Sequence, residues 1–216
     1  MEHQMMPTPE QMLCAFNKAL NDSLKWNPKK AHLTNSLRSA LFLSRSCEQL
    51  DVVMGAKGNY IRVVDDQENP RKRGEWLLDG IWTKTHQPHC SEAEKPHKIA
   101  VVCALECESQ TGEKQFFEDF SKLLVVSSPL KIFLAGLNQT REKNTETYIK
   151  EKRIKMIQEL FKESPEATKQ SDWYIAFWPS PRLWDQLDEY CHLKKIRLFY
   201  RCKGKEGGFE EYPKNG

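Results

Sequence analysis

Three carboxylates carry the most specific chemical signal in this chain. Asp79 sits in Gly74-Glu75-Trp76-Leu77-Leu78-Asp79-Gly80, and Glu106 and Glu108 close the segment Ala104-Leu105-Glu106-Cys107-Glu108. Side chains alternate along a strand, so Glu75 and Asp79 are expected on one face of theirs, and Glu106 and Glu108 on one face of the other. A carboxylate ending an apolar strand is costly unless something neutralises it. If the two strands pair as a hairpin across His86 to His97, Asp79, Glu106 and Glu108 converge. Carboxylates that close raise one another's pKa or demand a cation. Hard oxygen donors suit Mg²⁺ or Mn²⁺, which polarises a phosphoryl oxygen and activates water. The same spacing is met where strand-end acids face solvent or pair with nearby lysines.

The elements that must position these groups can be read along the chain. Thr8-Pro9-Glu10-Gln11 is an N-cap followed by proline and an acid at a helix start, and Leu13, Phe16, Leu20 and Leu24 continue at helical spacing. A second helix is expected from about Thr34 to Gln49. Val52-Val53-Met54 and Tyr60 to Val64 read as short strands around Gly55 and Gly58, and Asp65 to Arg73 as a polar connection. Glu75 to Lys84 and Lys98 to Glu108 read as the two acid-bearing strands. An amphipathic helix follows from Gly112 to about Ser127, then a buried strand, Leu130 to Leu137. A charged helix from about Thr145 to Lys162, a strand Trp173 to Trp178, a short helix Leu183 to Tyr190 and a strand Ile196 to Cys202 complete the order, before a polar tail. The expected fold is α/β, a mixed central β-sheet flanked by helices, with an N-terminal helical segment.

Composition narrows the function classes. The chain has 216 residues, 33 Lys+Arg against 30 Asp+Glu, a formal charge of +3 and 10% aromatics. That is one domain's length with enough apolar mass for a core. Within residues 1–216 it divides into N-terminal helices (1–50), a core (51–178) and a C-terminal helix, basic strand and tail (179–216). No apolar run approaches a membrane span. No secretory leader is visible at Met1-Glu2-His3-Gln4. Seven cysteines without a Cys-x-x-Cys pair fit free thiols in a reducing compartment, so a cytoplasmic location is expected. The charge balance excludes a polybasic nucleic-acid coat; nucleic-acid binding would need cations gathered on one face.

Asp79, then Glu106-x-Glu108 after an apolar strand, then a helix, resembles the PD-(D/E)XK nuclease superfamily, most closely over Ala100 to Ser109 and Phe117 to Leu124. The resemblance spans about Thr34 to Trp178 and implies a restriction-endonuclease-like core performing metal-dependent phosphodiester hydrolysis, of DNA more than RNA. It implies Asp79 and Glu106 as Mg²⁺ or Mn²⁺ ligands, with the backbone carbonyl of Cys107 and an acid from the preceding helix, Glu48. Glu108 stands where the family usually has lysine and would act as base or co-ligand; Lys122 would supply the positive charge. Glu75 would stand behind these ligands, or pair with Arg73. The departure at Glu108 keeps open an alternative, a catalytically inactive module on the same fold that binds nucleic acid or a protein partner. Cutting both strands of a duplex would favour a homodimer.

Other constellations are weaker. His86, His89, Cys90 and His97 are ligand types that zinc accepts, at a spacing matching no common zinc site. Basic residues that would hold a nucleic-acid backbone are Arg71 and Arg73 before the first acid strand and Lys195, Arg197 and Arg201 around the last strand. Lys150, Lys152, Arg153 and Lys155 share their helix with Glu146, Glu151 and Glu159, which reads as a solvated face.

Overall fold

The computed structural model describes residues 6–26, 34–60, 62–64, 70–72, 77–86, 97–204 and 208–213. The expected α/β architecture is present. Seven strands form a mixed sheet in the order β1 (Asn59–Tyr60), β4 (Gly80–His86), β5 (His97–Glu108), β6 (Leu130–Leu137), β7 (Asp172–Pro179), β8 (Arg197–Arg201) and β9 (Glu210–Tyr212). β5, β6 and β7 run parallel, and the other neighbours are antiparallel. A separate ribbon pairs β2 (Arg62–Val64) with β3 (Pro70–Lys72).

Parallel neighbours need crossover helices, and both crossovers lie on one face of the sheet. The first is α3 (Glu113–Val125). The second begins as α4 (Glu142–Glu146), winds through a π-helical stretch (Thr147–Ile154), and continues as α5 (Lys155–Glu163) and α6 (Glu166–Lys169). Phe120 of α3 and Phe161 of α5 each lie 5.4 Å from the ring of Trp173 on β7. The opposite face is covered by α1 (Pro9–Lys25) and α2 (Asn35–Met54), where Phe42 stacks on Trp178 at 4.2 Å. Covered on both sides, β6 is buried along its whole length. One continuous apolar cluster joins α1 and α2 to the sheet and its crossovers.

Several boundaries differ from expectation. Val52-Val53-Met54 is no strand: α2 runs on to Met54 and ends at Gly55, whose φ of 61° is the left-handed cap that glycine supplies. Glu48 therefore lies inside the helix, not at its C-terminus. The expected strand Glu75 to Lys84 starts only at Gly80, and Asp79 sits in the bend before it; Glu75 and Arg73 fall outside the described residues. The connection Asp65 to Arg73 contributes β3, and the polar tail contributes β9, which closes the sheet against β8. The charged helix starts earlier, at Glu142, and the helix expected at Leu183 to Tyr190 is a 3₁₀ turn, Pro181–Gln186.

Candidate functional site

The hairpin expected between the two acid-bearing strands is present, with Gly80 opposite Leu105 and His86 opposite His97. Because β4 begins at Gly80, β5 extends past it, and Glu106, Cys107 and Glu108 have strand β6 on one side only. On the other side Asp79 takes the place of a strand: its Oδ2 accepts the Cys107 N–H at 2.9 Å. A strand residue presents its N–H and C=O to the same neighbour, so the Cys107 carbonyl faces this edge too.

Glu106 pairs in register with Phe133, whose ring meets Phe116 and Phe120, so it points to the α3 face. It is almost wholly buried, and its Oε1 has no hydrogen-bond partner. Its other oxygen lies 3.5 Å from Lys122 Nζ, which is held more closely by Asp119 at 2.6 Å. Burial and then the Asp79 charge push Glu106 up to about 9 against the Lys122 contribution. Burial draws Lys122 down, but Asp119 and Glu106 outweigh it and leave its pKa raised. The two shifts are compatible because Asp119, not Glu106, is the closer counter-ion of Lys122.

Glu108, two residues on, accepts the Gln110 N–H at 2.5 Å and is raised to about 7, by burial first and by Asp119 against the Gln110 bond. Asp119 thus touches both halves of the cluster. Its signal in the sequence was its place one helical turn before Lys122 on α3, beside the apolar stripe of Phe116, Phe120 and Leu123. The Cys107 thiol is raised well above its ordinary value by burial and then by Asp79, which leaves it unsuited to act as a thiolate.

The loop leaving β5 is held from several directions. A Cβ on Gly136 would come within 2.5 Å of the Ser109 carbonyl, so only glycine allows β6 this close approach. Ser180 Oγ donates to Ser109 O at 3.2 Å, and Asn138 Nδ2 bonds Thr111 Oγ1. The π-helical winding aligns residues five apart. It brings Tyr148 and Arg153 to the same carbonyl, Thr111 O, at 3.2 and 2.8 Å. The guanidinium of Arg153 is buried between the rings of Phe116 and Tyr148, at 4.8 and 4.7 Å.

A cleft of about 860 Å³ opens at the carboxyl ends of β5, β6 and β7, where Ser109, Asn138 and Ser180 follow the three strands. Such ends are where open α/β sheets bind ligands. Asp79 and Cys107 line the cleft, together with the first turns of α2 and with Arg182. Glu106, Glu108 and Lys122 lie on the other face of β5 and meet the cleft only across the edge that Asp79 occupies.

The remaining candidates are dispersed. Glu48 pairs with Arg45 at 2.7 Å one turn back along α2. Arg71 lies in the β2–β3 ribbon, while Arg73, Glu75 and most of the loop bearing His89 and Cys90 fall outside the described residues. Lys195 is exposed. Arg197 is committed to Glu146 and Glu211, with only 16% of its side chain exposed. Arg201, at the far end of β8, lies 4.6 Å over the Phe161 ring and donates to Lys169 O at 3.0 Å. Among the described candidates Arg197 and Arg201 are thus engaged elsewhere in the fold and do not join Lys195 in one basic margin beside the acids.

Oxygen chemistry decides which metal the cluster would fit. Among the described residues no group of three or more His, Cys, Asp or Glu side chains is arranged to hold a metal ion. Mg²⁺ does not require one: it takes one or two carboxylates and keeps several waters. Asp79, Glu106 with its orphaned oxygen, and the Cys107 carbonyl are a donor set of that kind.

No family model, curated protein or solved structure matches the chain.

Proposed function

We propose that the chain is a metal-dependent phosphodiesterase acting on nucleic acid, with its reaction centre on the β4–β5 edge. The observation that carries this reading is Glu106: a buried carboxyl with one oxygen unpartnered, near enough to Asp79 for that charge to raise its pKa. Burying a carboxylate this way is unfavourable without a proton or a cation. Asp79 and Glu106 would hold Mg²⁺ or Mn²⁺, with the Cys107 carbonyl beside them. The ion supplies Lewis-acid polarisation of a phosphoryl oxygen and a more acidic water. Glu108, raised to about 7, would take the proton of the attacking water. Lys122 stabilises developing negative charge from behind Glu106. The cleft at the strand ends receives the polynucleotide, with Arg182 and the Ser, Asn and Gln side chains of its wall as donors.

The test pairs two measurements on the same samples: Mn²⁺ titration by calorimetry, and cleavage of labelled single- and double-stranded oligonucleotides with Mn²⁺. Wild-type chain is expected to bind and to cleave, while Asp79→Asn and Glu106→Gln lose both and keep their fold by circular dichroism. Full cleavage by either variant, or no Mn²⁺ binding by the wild type, overturns the reading. Oligonucleotide binding without Mn²⁺ binding or cleavage selects the inactive module instead, which the glutamate at 108 in place of lysine favours.

A further inference from the structure

The cleft at the strand ends is polar but almost uncharged. Among the described residues its wall holds one carboxylate, Asp79, and one cation, Arg182. Arg182 is exposed and has no ion-pair partner among the described residues. Asn35, Ser39 and Gln110 add two amides and a hydroxyl to the wall, and no hydrogen bond engages these side chains among the described residues. No aromatic ring of the described residues lines it. The walls are tied together. Arg38 pairs with Asp185 at 2.7 Å and donates to the Pro181 carbonyl at 3.1 Å, which fastens the first turn of α2 to the 3₁₀ turn carrying Arg182. Ser180, next to that turn, and Asn138 hold the loop from Ser109 to Thr111. These bonds set the width of a cleft whose volume, about 860 Å³, lies in the range that encloses small ligands.

A duplex buries the Watson–Crick edges of its bases and is held chiefly through its phosphates, which takes several cations. One arginine does not supply them. An unpaired strand exposes those edges, and amides and hydroxyls hydrogen-bond them. Stacking on aromatic rings, the sequence-tolerant way to hold a single strand, has no platform in this wall. We infer that the cleft takes a few nucleotides of an unpaired strand. Asn35, Ser39 and Gln110 bond the base edges, and Arg182 holds a phosphate through its planar fork of donors. This rests on the reading of the chain as a nucleic-acid hydrolase and names its substrate as single-stranded.

Fluorescence anisotropy of the full chain in a metal chelator tests it with three labelled probes. They are a short mixed-sequence DNA strand, the same strand annealed to its complement, and an abasic strand of equal length. The single strand is expected to bind about tenfold or more tightly than either other probe, the scale of one or two hydrogen bonds. Its log affinity should fall against log salt with a slope of about −0.7, one phosphate's worth, and Arg182→Gln should flatten that slope. Asn35→Ala and Gln110→Ala, both at exposed positions, should each weaken the single strand about fivefold and leave the slope unchanged. Duplex or abasic binding as tight as the single strand's overturns the inference. So does a slope steeper than about −2, affinity unchanged in both amide variants, or no binding of the single strand. Cleavage of the same probes with Mn²⁺ keeps the two readings apart. Duplex cut as fast as single strand sinks the single-strand inference and leaves the hydrolase standing. Preferential single-strand binding without cleavage upholds the cleft's preference and sinks the hydrolase.

Discussion

Asp79 occupies the position of a missing strand: its carboxylate takes the Cys107 N–H at 2.9 Å where β4 has not yet begun. One side chain therefore both terminates the pairing and brings negative charge to the edge against which Glu106 is buried. Four expectations follow from the electrostatics around that edge and from the fate of the chain's other charges.

Glu106 ionises at about 9 in the folded chain, against an ordinary 4.5. Between those values the folded state binds a proton that the unfolded state has released, so stability falls as pH rises. Glu108 adds a slope of the same sign up to about 7, and Lys131 opposes it from about 8, so the decline from pH 7 to 8 belongs to Glu106. Thermal unfolding in a metal chelator is expected to show this decline in the wild type and a flatter profile in Glu106→Gln. Adding Mn²⁺ at pH 8 raises the wild-type midpoint and leaves the variant unchanged. Parallel profiles for the two proteins would refute the assignment.

Asp119 holds Lys122 at 2.6 Å and keeps it from a closer approach to Glu106, now at 3.5 Å. In Asp119→Asn the lysine loses that partner and turns to Glu106, while the repulsion from Asp119 disappears. Both changes lower the Glu106 pKa. Carbon-detected NMR titration of the carboxyl groups reads this directly; an unchanged or higher Glu106 pKa contradicts it.

Arg197 bridges Glu146 and Glu211, tying the start of the long crossover helix to β8 and β9. Arg197→Gln is expected to cost about 2 kcal/mol, the scale of lost hydrogen bonds to charged groups, in urea unfolding. Oligonucleotide affinity at matched salt should stay the same. Lys195→Gln, at an exposed site, should show the reverse pattern of unchanged stability. A weakened oligonucleotide affinity in a stable Arg197→Gln protein would return that arginine to the binding surface.

Lys131 is buried in the centre of the fold with its ammonium 4.9 Å from the Trp173 ring, and burial pulls its pKa from 10.5 to about 8. Between those values the unfolded chain holds the extra proton, so this residue's contribution makes stability rise with pH. Lys131→Met keeps the volume and removes the buried charge. It should stabilise the protein by about 1–3 kcal/mol at pH 7, with the advantage shrinking by pH 10. Destabilisation at pH 7 would show that the ammonium has a partner worth more than its burial costs.

Much of the scaffold is legible in local pattern. The run Leu130 to Leu137 is buried along its length because it is a parallel strand covered on both faces, and its continuous hydrophobicity says so. The pairing of His86 with His97 follows from two apolar strands joined by one polar segment. Asp79 and Glu106 were recognisable as candidates because carboxylates at strand ends break the apolar pattern. Val52 to Met54 misled because a short apolar run fits a helix end as well as a strand.

Local pattern determined the strands, their helices and the acids at the hairpin's end; the tertiary structure decided which charges neutralise one another. Alternation and helical periodicity act over a few residues and can be read from one segment alone. Ion pairing depends on which distant segments meet. Asp119 reaches Glu108 from a different element, Arg197 on β8 meets Glu146 on α4, and Lys131 is buried because α3 and α5 close over β6. Around the last strand, folding leaves Lys195 exposed, holds Arg197 in an internal pair with Glu146 and Glu211, and lays Arg201 over the Phe161 ring.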